Sequence, residues 1–113
     1  MKIKKLLLAS ALLFSAYNVS AQTQVIAHRG FWKTEGSAQN SIAALLKADS
    51  IGCYGSEFDV WLAADDQLVV NHDPTFKGKR MENSPSPALT AIKLDNGESL
   101  PTLAKYLKAA QPL

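Results

Sequence analysis

Val25-Ile26-Ala27-His28-Arg29-Gly30 is a short apolar run that stops at a polar loop, and residues 56–62 repeat that grammar as Ser56-Glu57-Phe58-Asp59-Val60-Trp61-Leu62. The first stretch reads as a buried strand. The second alternates, with Glu57, Asp59 and Trp61 facing one way and Phe58, Val60 and Leu62 the other. Between them, Asn40 or Ser41 can cap a helix whose apolar stripe is Ile42, Leu45, Leu46 and Ile51, closed by Gly52. Strand, helix, strand is the unit of a parallel sheet, so the chain reads as α/β.

Working outward, Asp65-Asp66 is a turn signal and Leu68-Val69-Val70 is a further strand ending at His72-Asp73-Pro74. The link before it is too short for a parallel crossover, which takes a dozen or more residues. These two strands are expected to form a hairpin. Residues 74–99 read as loop, interrupted by Ser84-Pro85-Ser86-Pro87 and Asn96-Gly97. Pro101 then suits the first turn of a last helix, with Leu100, Leu103, Leu107 and Ala110 on one side.

The opening of the chain has a different character. Three lysines in residues 1–5, an apolar run over residues 6–16 and Val19-Ser20-Ala21 make the pattern of a signal peptide covering residues 1–21. The apolar run is shorter than the roughly 20 residues that span a bilayer. The expectation is an exported protein, periplasmic or secreted, with no stable membrane anchor after cleavage. The mature segment, residues 22–113, then holds 92 of the 113 residues. Losing Lys2, Lys4 and Lys5 takes the 12 basic residues to 9, against 10 acidic ones. Only Lys77, Lys79 and Arg80 cluster, and they read as a solvated loop, so nucleic acid is not an expected partner. Cys53 is the single cysteine, which excludes an internal disulfide and reads as a small apolar packing residue.

Both histidines of the chain stand at the C-terminal end of an expected strand, where α/β barrels carry their reactive groups. Glu57 and Asp59, two apart on one strand, aim two carboxylates from one face. Hard oxygen ligands of this kind suit Ca²⁺ or Mg²⁺ better than a soft metal. With neutral His28 and His72 nearby, one imidazole can take a proton while the other gives one. Alone, each piece is as compatible with a strand-end loop or a solvated strand face; their order and spacing together carry the signal.

Ala27-His28-Arg29-Gly30, Glu57-Phe58-Asp59-Val60 and Val69-Val70-Asn71-His72-Asp73-Pro74, followed by Leu100-Pro101-Thr102-Leu103, resemble the N-terminal signature of the glycerophosphodiester phosphodiesterase family. The resemblance runs over about residues 24–107. It implies a (β/α)8 barrel of which this chain holds only the N-terminal part, since a whole barrel takes about 250 residues. It implies His28 and His72 as the acid/base pair, Arg29 as the phosphate-binding residue, and Glu57 with Asp59 as ligands of a divalent cation. The implied reaction is metal-dependent hydrolysis of a small-molecule glycerophosphodiester to an alcohol and glycerol 3-phosphate.

Two departures stand out. Where the family usually has Pro-Glu-Asn, this chain has Ala38-Gln39-Asn40, which bears on the surroundings of the metal. The family's third metal-binding carboxylate follows the Pro101 helix and lies past Leu113, so the chain by itself is expected to be inactive. The rival readings are a related barrel phosphodiesterase or lyase, and an inactive fragment or binding module that retains the site residues.

Overall fold

The computed structural model describes residues 21–113; the leader read over residues 1–21 lies, but for Ala21, outside the described residues. Strand β1 (Ile26–Ala27) leads into helix α1 (Ile42–Ser50) and returns as β2 (Gly55–Ser56), which pairs parallel to β1 with Ile26 opposite Gly55. The expected β-α-β unit is therefore present. Ladder bonding continues past β2, since the Glu57 N–H donates to Ala27 O over 2.9 Å. The alternating stretch of residues 56–62 is not one strand, however. It resumes as β3 (Val60–Leu62), which pairs antiparallel with β4 (Leu68–Val70), Val60 opposite Val70. The hairpin expectation holds, with Asp66 in the left-handed region (φ 63) at its turn.

Helix α1 begins where Ser41 accepts a hydrogen bond from the Ala44 N–H, so Ser41 and not Asn40 is the cap. Its buried face is Ala44, Leu45 and Ala48, while Leu46 and Ile51 of the expected stripe are exposed. Small residues allow this face to sit close against the loop after β1. Residues 74–99, read from sequence as loop, contain four short elements. Strands β5 (Thr75–Phe76) and β6 (Lys79–Arg80) form a hairpin, Met81–Asn83 is a 3-10 turn, and α2 spans Ser86–Thr90. The start of α2 is held from outside by Asp65, whose carboxylate accepts from both the Ser86 N–H (3.1 Å) and the Ser86 hydroxyl (2.7 Å). The Ser86 hydroxyl also holds the Asp65 carboxyl below the usual carboxylate range.

The last helix, α3 (Leu103–Ala110), starts after Pro101, not at it. Thr102 caps it by accepting from the Lys105 N–H. Tyr106 is its buried anchor, whereas Leu107 is exposed.

Two apolar clusters result. One joins Val69, Met81, Leu89, Ile92, Leu94 and Leu100 beneath the β3–β4 excursion, with Trp61 and Phe76 against it. The other sits between the parallel strands and the helices, uniting Leu45, Val70 and Tyr106 with Phe58. There the Phe58 and Tyr106 rings lie 4.4 Å apart at a tilt of 38°. Trp61 and Phe58 thus pack against different clusters. Among the described residues no helix is long and apolar enough to cross a membrane.

Candidate active site

The site begins in a turn that only particular backbone geometry allows. After Ala27 the chain reverses through Arg29 (φ 58) and Gly30 (φ 79), two consecutive left-handed residues. Gly30 lies so close to α1 that an added Cβ would stand 2.5 Å from Ala44 Cβ and 2.8 Å from Ala44 C. The small face of α1 and the absent side chain at 30 are one fit, and it fixes where His28 and Arg29 project. Asn40, also left-handed (φ 57), closes the loop by donating its N–H to Arg29 O over 3.0 Å.

From this frame the residues singled out by sequence come together. The Arg29 N–H donates to Glu57 Oε2 (3.0 Å), so the loop after β1 is tied directly to the carboxylate after β2. His28 Nε2 lies 3.8 Å from the same oxygen, beyond hydrogen-bond reach and attractive when the imidazole is protonated. Asp59 Oδ2 accepts from Asn40 Nδ2 over 3.0 Å, and Asp59 O accepts from the Asn71 N–H. His72 follows β4, with its carbonyl held by Trp61 Nε1 at 3.1 Å. Its Nδ1 meets Asp73 Oδ1 at 2.6 Å and its Nε2 meets Arg29 Nη2 at 2.8 Å. Arg29 therefore links Glu57 to His72, Asp59 joins them through Asn40, and His28 approaches the group only at Glu57 Oε2. A cleft of about 360 Å³ opens beside it, lined by Gln39, Asn40, His72, Asp73, Trp32 and Phe76 among others. His28 does not line that cleft and is exposed to solvent.

Asn40 and Gln39 show what sequence reasoning missed. Asn40 is buried and holds Asp59, although its residue type suggested a helix cap. Gln39, whose departure from the family pattern was expected to act on the surroundings of the metal, bonds to the guanidinium: its Oε1 accepts from Arg29 Nη1 at 2.6 Å. Residue spacing carries no sign of either contact, because both cross between loops.

The donor set fits a hard divalent cation in part. Glu57 and Asp59 each engage one oxygen in the protein, which leaves Glu57 Oε1 and Asp59 Oδ1 without a protein partner among the described residues. Both side chains are half-buried, and two free carboxylate oxygens on neighbouring backbone are ligands that Ca²⁺ or Mg²⁺ accepts. Among the described residues no group of three or more His, Cys, Asp or Glu side chains is placed to hold a metal.

Comparison with known proteins points one way. No family model matches the chain. A glycerophosphodiester phosphodiesterase of Caldanaerobacter subterraneus subsp. tengcongensis is 46% identical over 54 residues, 48% of this chain and 21% of that protein. The crystal structure of a glycerophosphodiester phosphodiesterase from Parabacteroides distasonis superposes with a TM-score of 0.80 at 55% identity, over 83% of this chain and 40% of that one. An Oleispira antarctica phosphodiesterase, solved in complex with the product sn-glycerol-3-phosphate, gives 0.66 at 30% identity, over 80% and 40%. The chain thus spans about two fifths of the solved relatives and about a fifth of the curated one. With these neighbours the β-α-β start is placed as part of a (β/α)8 barrel.

Proposed function

We propose, from its likeness to glycerophosphodiester phosphodiesterases, that this chain forms the phosphate-binding and acid/base part of an enzyme hydrolysing glycerophosphodiesters to an alcohol and glycerol 3-phosphate. The observation that carries the proposal is Arg29, whose backbone binds Glu57 while its guanidinium reaches His72. A phosphodiester is an anion, and its transition state gathers charge on the non-bridging oxygens. A guanidinium is matched to that charge in both shape and sign.

In the proposed mechanism Arg29 orients the phosphate between the two imidazoles. His72, its Nδ1 held by Asp73, presents Nε2 to the reacting oxygens. His28, beside Glu57, is the partner of opposite protonation, so one residue receives the nucleophile's proton while the other supplies the leaving alkoxide. The nucleophile is water or the neighbouring glycerol hydroxyl. Glu57 Oε1 and Asp59 Oδ1 would hold a Ca²⁺ or Mg²⁺ ion, which as a Lewis acid lowers the cost of charge on the phosphoryl oxygens. With two carboxylates for that ion, the chain by itself is proposed to bind without turning over. Residues 1–21 support export to the periplasm or the medium, so the proposed partner is a small diffusible substrate.

The test joins this chain to the segments of the Parabacteroides distasonis protein that it does not span. Glycerophosphocholine and glycerophosphoglycerol are the substrates, with phosphatidylinositol and sphingomyelin as controls. Release of glycerol 3-phosphate from the first pair alone is the expected result. Turnover confined to the controls would instead support the related barrel lyase.

A further inference from the structure

Among the described residues Arg29 has neutral acceptors and no carboxylate on its guanidinium: Nη1 donates to Gln39 Oε1 at 2.6 Å and Nη2 to His72 Nε2 at 2.8 Å. Its Nε is buried and has no hydrogen-bond partner. Guanidinium nitrogens donate and never accept, so His72 Nε2 must be the acceptor in that contact. The proton of the neutral ring then sits on Nδ1 and is donated to Asp73 Oδ1, 2.6 Å away. In the free protein, therefore, the lone pair of His72 that a reaction would use is already occupied.

From these contacts we propose that Gln39 is a positioning residue that parks Arg29 on His72 Nε2 with its charge uncompensated, and that an arriving phosphate draws Arg29 away and frees that nitrogen. The argument rests on the phosphate-binding reading above and adds an order of events to it. Hydrogen bonds from a cation to neutral acceptors lack the second charge, and the parallel two-bond geometry, that a phosphate supplies. A phosphate offers the guanidinium two parallel charge-assisted bonds in exchange for an amide oxygen and an imidazole nitrogen. The unpartnered Nε–H is one more donor available to the incoming oxygens. The backbone of Arg29 does not need to move, since its N–H stays on Glu57 and its carbonyl on Asn40. Only the side chain swings. His72 is thereby kept from reacting until a phosphate is seated, and Gln39 supplies a resting contact that competes weakly.

The test follows the imidazole nitrogens by long-range ¹H–¹⁵N NMR on the full chain at about pH 8, where unperturbed histidines are neutral. With only two histidines, His28→Asn assigns the spectrum. Inorganic phosphate is the probe. The expected result is an Nδ1–H tautomer of His72 whose Nε2 resonance shifts, as phosphate is added, toward that of an uncapped ring nitrogen. Arg29→Met should show the uncapped position at the outset and no response. Gln39→Glu should raise the phosphate concentration at half-response about tenfold, as an ionic contact replaces a neutral one, while Gln39→Ala should not raise it. A His72 Nε2 signal indifferent to phosphate, or responding alike in Arg29→Met, overturns the proposal. Glycerol 3-phosphate release by the barrel completed with the Parabacteroides distasonis segments, together with an indifferent His72, defeats this inference alone, whereas a responsive His72 with no release by that completed barrel defeats the functional reading alone.

Discussion

The backbone N–H of Arg29 donates to Glu57 Oε2 over 3.0 Å. That bond joins the loop after the first parallel strand to the carboxylate after the second, so the geometry of the site depends on the backbone of one tight turn. Gly30 is the residue that permits the turn, being left-handed and pressed against Ala44. Gly30→Ala should therefore cost roughly 2–4 kcal/mol, from a strained φ and from overpacking against helix backbone. Urea unfolding measures it. A loss below about 0.5 kcal/mol would show that the loop can yield and that its rigidity does not place Arg29.

Asn40 governs the second carboxylate. Its Nδ2 occupies Asp59 Oδ2 and so leaves Oδ1 as the oxygen for a cation. Partners that orient a metal ligand typically change affinity by about 10–100-fold when removed. Asn40→Ala should weaken Ca²⁺ or Tb³⁺ binding within that range, read by calorimetry or by terbium luminescence. Unchanged affinity, with the fold intact by circular dichroism, would remove Asp59 from the metal site.

The site and its surroundings differ in how far the sequence discloses them. His28, Arg29, Glu57, Asp59 and His72 sit on strand ends at spacings that the period of a strand imposes, and the structure gathers all five. The partners Gln39 and Asn40 do not follow from any period, since a loop reaches across to another loop. The hairpin of residues 75–80 was hidden for another reason. Its strands are two residues each, too short to alternate, and its turn is Lys77-Gly78, with φ 47 and 80. That turn has the both-positive geometry of the tight hairpins that Asn-Gly usually announces. Pro101 suggested a helix start, but the Thr102 side chain caps the helix at the Lys105 N–H and sets its first residue at Leu103.

Tyr106 is the buried anchor of α3, and its hydroxyl, like that of Ser56, is buried without a hydrogen-bond partner. Tyr106→Ala should lose about 3–5 kcal/mol, the range for removing a large buried side chain. Tyr106→Phe should be neutral or stabilising, because it deletes an unsatisfied hydroxyl. Burial also raises the phenol's pKa above its ordinary value of 10.0, and the Glu57 charge adds to the rise. A raised folded value means that this contribution is full below the unfolded pKa and is lost as pH climbs through the folded one. Stability should thus fall above about pH 10 in the wild type more steeply than in Tyr106→Phe. Matching alkaline profiles would mean that the phenol is hydrated.

The central claim is that the clustered histidines and carboxylates act as one catalytic site. The most direct measurement is glycerol 3-phosphate release by the barrel completed with the Parabacteroides distasonis segments, with and without chelator, in wild type, His28→Ala and Asp59→Ala. The account predicts that chelation abolishes release and that added Ca²⁺ or Mg²⁺ restores it. It predicts a loss of at least about a hundredfold in His28→Ala, the typical cost of removing a general acid or base. Equal rates in wild type and His28→Ala, or chelator-resistant turnover unchanged in Asp59→Ala, would contradict it.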